Sequence, residues 1–317
     1  MSERILGEKV VVTGGAGFIG SHLCAALLAR GAAEVTVVDS LRYGDRANLA
    51  ALPRLALVKH TLGTDSTDEL ARALAGARYL FHLAAEKHNQ SKDDPARVLA
   101  ANVAGTATLL ELAGQAGVRK VVFTSSLYAY GRVAGAPFDE AERPEPRTVY
   151  GISKLAGEHL TAWAAREHGF AYNVLRYLFV YGPKQFAGMG YKSVIVKSFE
   201  RLLAGVGPVV FGDGTQCLDY VYVDDAVEAT LAALERDVSG EVLNVGSGRA
   251  TSVNELVDTI VRVSGKALPP THGPADWTAG SVRVANPDKT ARVLGWRATT
   301  PLEQGLARTH AWVCGAR

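Results

Sequence analysis

Short apolar runs recur along the first half of the chain, set apart by longer stretches in which alanine and leucine return every three or four positions. Val10-Val11-Val12, Val35-Thr36-Val37-Val38, Tyr79-Leu80-Phe81-His82-Leu83 and Val121-Val122-Phe123-Thr124 are continuous and rich in β-branched or aromatic residues. Runs of that kind predict strands covered on both faces. A helix is predicted after the first run, with Ile19, Leu23, Ala26 and Leu27 on one face and Gly31 near its end. Further helices are predicted over 68–74, 96–113 and 149–167, and a further strand over 172–180. Strand–helix alternation at this spacing implies an α/β fold of the Rossmann type, a doubly wound parallel sheet.

After Tyr181-Gly182-Pro183 glycine and proline become frequent and the helical stretches shorten. The expected division is a first domain over 1–180 and a smaller C-terminal substrate lobe over 181–317, with segments such as 242–245 returning to the first. A length of 317 residues suits two lobes. Hydrophobic residues at 48% and charged residues at 21% are those of an ordinary globular protein. A net charge of +2 without a basic run makes no case for nucleic acid or an anionic membrane. The apolar stretch at 23–29 falls far short of the roughly 20 residues that span a bilayer. Cys24, Cys217 and Cys314 show no metal-ligand spacing and read as reduced thiols, and the N-terminus runs almost directly into a strand, so a cytoplasmic protein without a cleavable signal is expected.

Thr13-Gly14-Gly15-Ala16-Gly17-Phe18-Ile19-Gly20 joins the first strand to the first helix. Its glycines fit two readings, Gly15-x-Gly17-x-x-Gly20 or Gly14-x-x-Gly17-x-x-Gly20. Either brings backbone close to a pyrophosphate at the positive end of the helix. Asp39 ends the second strand near the offset at which a carboxylate meets the adenosine ribose and repels a 2′-phosphate, so NAD is favoured over NADP. Arg42 complicates this, because a guanidinium nearby could neutralise Asp39 in part.

Tyr150 and Lys154 stand four residues apart in a predicted helix and so share a face. A phenol ordinarily titrates near 10, and a neighbouring cation lowers an acid by about 1–3 units. Lys154 and a nicotinamide ring together are expected to bring Tyr150 toward neutral pH as a general base. Ser126 follows an apolar strand and should sit at the carboxyl end of the sheet, where its hydroxyl could orient the reacting alcohol or satisfy a turn.

With these motifs in place the chain resembles the extended short-chain dehydrogenase/reductases, in particular their nucleotide-sugar epimerases and dehydratases. The resemblance runs nearly end to end: residues 13–20, Asp39, Asp65, His82-Leu83-Ala84-Ala85, Asn102-Val103-Ala104-Gly105-Thr106, Ser125-Ser126, Tyr150 with Lys154, Arg176-Tyr177, Tyr181-Gly182-Pro183, Gly212-Asp213-Gly214, 219–225, 244–248 and Leu294-Gly295-Trp296. It implies that Gly14, Gly17, Phe18 and Ile19 hold the pyrophosphate, Asp65 the adenine, and Leu83, Ala84, Ala85 and Lys87 the middle of the cofactor. Ser126, Tyr150 and Lys154 would be the catalytic trio, with Tyr177 near the nicotinamide. It also implies a homodimer formed through the helices over 96–113 and 149–167.

Dehydratases of this family carry Asp-Glu after the catalytic hydroxyl, where this chain has Leu127-Tyr128. The family often has Asn or Thr at the place of Phe179, and Arg at the place of Leu218. On the substrate side stand Phe179, Gln185, Lys192 and Arg283, with Lys184, Lys192 and Arg283 readable as contacts for a diphosphate or sugar carboxylate or as ordinary surface charges. The resulting expectation is an NAD-dependent 4-epimerase of a UDP-hexose or UDP-hexuronic acid working through a 4-keto sugar. The rivals are a dehydratase, decarboxylase or reductase of the same family, and a non-catalytic NAD-binding regulator.

Overall fold

The computed structural model describes residues 4–50, 52–131, 135, 137–185, 192–276 and 278–315. The first half alternates strand and helix: β1 (Lys9–Thr13), α1 (Phe18–Ala29), β2 (Glu34–Asp39), β3 (Leu55–Lys59), α2 (Thr67–Leu74), β4 (Tyr79–His82), α3 (Gln90–Asp93), α4 (Pro95–Leu99), α5 (Gly105–Gln115), β5 (Lys120–Ser126), α6 (Val149–His168) and β6 (Ala171–Tyr177). Val10, Val11 and Val12 are fully buried, as a strand sandwiched between helical layers must be. Between α4 and α5 the expected single helix passes through a π-helical turn, Ala100–Ala104. Thr148 caps α6 by accepting the Gly151 N–H at 3.0 Å, and Gly169 ends the helix in the left-handed conformation at φ 75°.

The second half adds β7 (Phe179–Tyr181), α7 (Val194–Leu203), β8 (Val209–Phe211), β9 (Cys217–Leu218), β10 (Tyr220–Tyr222), α8 (Val223–Glu235), β11 (Glu241–Val245), β12 (Thr251–Ser252), α9 (Val253–Ser264), β13 (Thr271–Gly273), β14 (Val282–Arg283), α10 (Asp288–Leu294) and α11 (Leu302–Gly315). The strand expected over 172–180 is broken at Leu178, whose N–H turns to the Val245 carbonyl, so that β7 pairs with β10 instead of prolonging β6.

The central sheet has seven strands in the order β11-β6-β5-β4-β1-β2-β3, with every pairing parallel. The order reverses at β1 and β4, and the crevice beyond their carboxyl ends is where such sheets take ligands. Strand β11 joins β6 although it lies well beyond Tyr181, so the chain re-enters the central sheet after leaving it at β6. Lys120, at the start of β5, fastens this return by donating to the carbonyls of Leu234, Arg236 and Val238 at 3.2, 2.9 and 2.8 Å. Asp219, between β9 and β10, ties together the segments that follow β11 and β14. Its carboxylate accepts the N–H groups of Ser247, Gly248 and Ala285 at 2.7, 2.9 and 3.1 Å, and Gly246 is the residue whose lack of a Cβ lets that carboxylate in.

Candidate active site

A cleft of about 980 Å³ runs along the carboxyl ends of the strands from His60 to Tyr220 and Val253. Its floor is the glycine turn. Gly14 has φ 73°, and a Cβ there would stand 2.8 Å from the Ala84 nitrogen. At Gly20 a Cβ would stand 2.2 Å from the Gly14 oxygen, so glycine is required for the helix to leave the turn at this angle. Gly17 opens α1 with no side chain capping the first-turn N–H groups, and Gly17, Phe18 and Ile19 all line the cleft. Uncapped donors at a helix N-terminus, beside backbone exposed by glycine, fit a pyrophosphate.

Asp39 lines the same cleft and is buried, its Oδ2 accepting the Ala16 N–H at 3.0 Å and its Oδ1 the Leu41 N–H at 2.8 Å. The carboxylate thus fixes the loop after β2 to the glycine turn. Burial raises its pKa, against the pull of the Leu41 and Ala16 hydrogen bonds. Arg42 does not turn to Asp39. Its Nε donates to the Tyr43 hydroxyl at 2.8 Å and lies 3.7 Å from Glu86. Asp65 is not brought to the cleft either. It is exposed, accepting the Thr61 N–H at 2.7 Å, while His60, Thr61 and Leu62 are the residues of this segment that line the cleft. Those three carry no sequence signal of their own. The strand ahead of them, β3, marks their place.

Leu83, Ala84, Ala85 and Lys87 line the middle of the cleft. Thr13 organises them, its carbonyl accepting the Leu83 N–H at 3.1 Å and its hydroxyl oxygen the Ala84 N–H at 3.2 Å. The Thr13 hydroxyl also meets His82 Nδ1 at 2.7 Å, and His82 Nε2 meets Thr106 at 2.8 Å. Burial, with the Lys154 charge adding, pushes His82 down to about 3, so the ring is neutral at pH 7.

Ser126 ends β5, and Tyr150 and Lys154 come from the first two turns of α6, so the trio converges where the strand and the helix meet the cleft. The Ser126 hydroxyl oxygen accepts the Tyr128 N–H at 3.4 Å, and its side chain draws the Tyr150 phenol toward the ionised form. Lys154 donates to the Thr124 carbonyl at 2.8 Å, its ammonium 5.9 Å from the centre of the Tyr150 ring. The expected lowering of Tyr150 joined Lys154 with a nicotinamide ring, and the protein's own groups together act in the opposite direction. Burial raises the phenol well above its ordinary value, against the pull of Ser126, and burial pushes Lys154 down to about 8 against the pull of Glu158. In the protein itself enclosure is the largest influence on both groups.

Tyr177 lines the cleft, its hydroxyl 2.6 Å from that of Thr230. Beside Tyr150 stand two further rings, His88 and Tyr128, which the sequence did not single out as a pair. They stack with centroids 4.3 Å apart, and each meets Tyr150 edge-on, at 6.1 and 5.7 Å. Burial, with the charges of Lys92 and Arg283 adding, pushes His88 down to about 4. Phe179 and Gln185 line the second-lobe side, Gln185 donating to the Val180 carbonyl at 3.0 Å and accepting from Ser193 at 2.8 Å. Lys192 is drawn to Glu200 at 2.8 Å, and it is Glu200 that lines the cleft. Arg283 is buried behind Tyr128, its guanidinium 5.7 Å from the ring, so it backs the wall of the site and is not part of its lining.

A parallel sheet reversing at β1 and β4, a glycine cradle, and a serine–tyrosine–lysine trio in the same cleft define a dinucleotide-dependent enzyme. Residues 10–246 match the model of the NAD dependent epimerase/dehydratase family. The chain is 36% identical over 307 residues to the UDP-glucose 4-epimerase of Mycolicibacterium smegmatis, covering 95% of this chain and 97% of that protein. Its structure is similar to that of the UDP-glucose 4-epimerase of Thermotoga maritima with UDP-glucose, at a TM-score of 0.89 and 37% identity, covering 97% and 99% of the two chains. It is also similar to the UDP-glucuronic acid 4-epimerase of Bacillus cereus in complex with UDP-glucuronic acid and NAD, at 0.86 and 28%, covering 98% and 100%. The chain belongs to the NAD-dependent epimerase/dehydratase family.

Proposed function

We propose that the protein is a 4-epimerase of a UDP-linked sugar, interconverting UDP-glucose and UDP-galactose or UDP-glucuronate and UDP-galacturonate. The observation that carries this reading over dehydration is what surrounds Tyr150. Its neighbours are the rings of Tyr128 and His88, neither of them a carboxylic acid placed to protonate a leaving hydroxyl, and burial pushes His88 down to about 4. The carboxylates lining the cleft are engaged elsewhere: Asp39 by Ala16 and Leu41, Glu86 by Tyr43 and Arg97, Glu200 by Lys192, and Asp276 by Thr278.

In this reading Gly14, Gly17, Phe18 and Ile19 hold the pyrophosphate of NAD, Asp39 the ribose, and Leu83, Ala84, Ala85, Lys87 and Tyr177 the middle and nicotinamide end. NAD when bound supplies a hydride acceptor that returns the hydride in the same cycle. Ser126 holds the reacting oxygen, Tyr150 takes its proton, and Lys154 balances the charge that Tyr150 then carries. Phe179 and Gln185 close the site on the sugar side. Two copies associate through the α4–α6 face, in the cytoplasm. The test is incubation of the NAD-loaded enzyme with each UDP-sugar, followed by chromatography and mass spectrometry. An epimer of unchanged mass, reaching the same ratio from either side, is expected. A product lighter by water or by carbon dioxide moves the protein to another reaction of the family.

A further inference from the structure

Strands β2 and β4 lie on opposite sides of β1 in the sheet. Any side-chain contact between the loops that follow β2 and β4 must therefore cross the carboxyl end of β1, which the glycine turn occupies. Two strand spacings separate those loops, roughly 10 Å. Tyr43, four residues beyond the end of β2, and Glu86, four beyond the end of β4, make that crossing, the hydroxyl donating to the Glu86 carboxylate at 2.7 Å. Both line the cleft. Lys87 reaches the same ring from the β4 side, its ammonium 4.8 Å from the Tyr43 centroid.

Glu86 is built to hold this position. Arg97 donates to its other oxygen at 2.8 Å. Asn102, presented by the π-helical turn, accepts the Glu86 N–H at 2.7 Å and donates to the Glu86 carbonyl at 3.0 Å. A hydrogen bond to a largely buried carboxylate is among the stronger ones a side chain makes.

We infer that the Tyr43–Glu86 contact is a strap across the dinucleotide cleft that sets how long the cofactor stays bound. The inference rests on the cofactor assignment and is independent of which sugar is turned over. An enzyme that must hand back the hydride it has taken gains from slow cofactor release, because a reduced cofactor lost in mid-cycle strands the keto sugar.

The test uses the full-length protein loaded with NAD, without any sugar. NAD dissociation is followed after dilution into an excess of a dinucleotide trap, and retained NAD is measured after desalting. Tyr43→Phe keeps the ring and its contacts with Lys87 and deletes only the hydroxyl, so it should release NAD about tenfold faster than wild type. Glu86→Gln leaves an acceptor for the hydroxyl and should fall between wild type and Tyr43→Phe. In Tyr43→Phe/Glu86→Gln the second change should add little, because the shared contact is already gone. Release by Tyr43→Phe within twofold of wild type overturns the strap. So does full additivity of the two changes, which would mean that each acts alone. Because no sugar enters the measurement, an unexpected substrate would refute the epimerase reading and leave this result standing.

Discussion

Glu158 and Arg176 form a two-pronged ion pair behind the site, Nε to Oε1 at 2.9 Å and Nη2 to Oε2 at 2.7 Å, with side chains only 7% and 3% exposed. Ser125, the residue before Ser126, donates to the same carboxylate at 2.5 Å, and Glu158 lies one helical turn beyond Lys154. The pair thereby fixes the end of β5 against the helix that bears the tyrosine and lysine.

Removing one charge from such a pair leaves the other buried and uncompensated. Glu158→Gln should lower stability by about 3 kcal/mol, read as a shift of the urea midpoint at unchanged slope. Glu158→Leu with Arg176→Met should recover most of that loss, since neither residue then leaves a bare charge.

Tyr150→Phe should retain NAD and lose turnover by about 10²–10⁴-fold, the usual range for a general base. Activity within tenfold of wild type, with cofactor binding intact, would assign the proton transfer to another group.

Acid should weaken the fold through His82. Its folded pKa, about 3, lies below the unfolded value of 6.5. Between those values the unfolded chain binds the extra proton, so stability is full above 6.5 and falls as the pH drops toward 3. From pH 7 to pH 5 the loss should be about 2 kcal/mol. His82→Asn, which cannot titrate, should show a correspondingly flatter dependence in urea unfolding at the two pH values.

Leu99, Ile152 and Trp163 are 42%, 48% and 42% exposed on α4 and α6, an apolar stripe on the face proposed to join two copies. Trp163→Glu should turn a dimer into a monomer in sedimentation velocity, with the far-ultraviolet spectrum unchanged.

What the sequence made legible is what neighbouring residues decide together. The apolar runs of β1, β2, β4 and β5, the glycine turn and the four-residue step from Tyr150 to Lys154 are all local, and local spacing fixes where they fall on strand, turn or helix. Strand β3 escaped because Leu55–Lys59 is only partly buried at the sheet edge, so it lacks the continuous apolar run of an interior strand. Asp65 stays off the cleft because Gly63, at φ 80° and packed on the Ala100 carbonyl, turns the chain so that Asp65 folds back on Thr61. Lys192 finds Glu200 one α7 turn-pair away, and Arg283 finds the back of Tyr128. No spacing rule announces either contact. The same is true of Tyr43 and Glu86, which meet only because the strand order places their loops on either side of β1.

The π-helical turn makes the chain between α4 and α5 sensitive to how many residues it contains more than to which ones. Ala100–Ala104 carries a surplus residue relative to a regular α-helix, and that surplus points Asn102 at both the Glu86 backbone and the Ser153 hydroxyl, 3.1 Å away. Ser153 in turn donates to the Tyr150 carbonyl at 2.8 Å. Deleting one alanine would restore regular winding, leave the flanking helices nearly in phase and remove the wide turn that aims Asn102. Most side-chain changes in this stretch should be absorbed, whereas a single-codon deletion should uncouple the cofactor loop from the catalytic helix in one step.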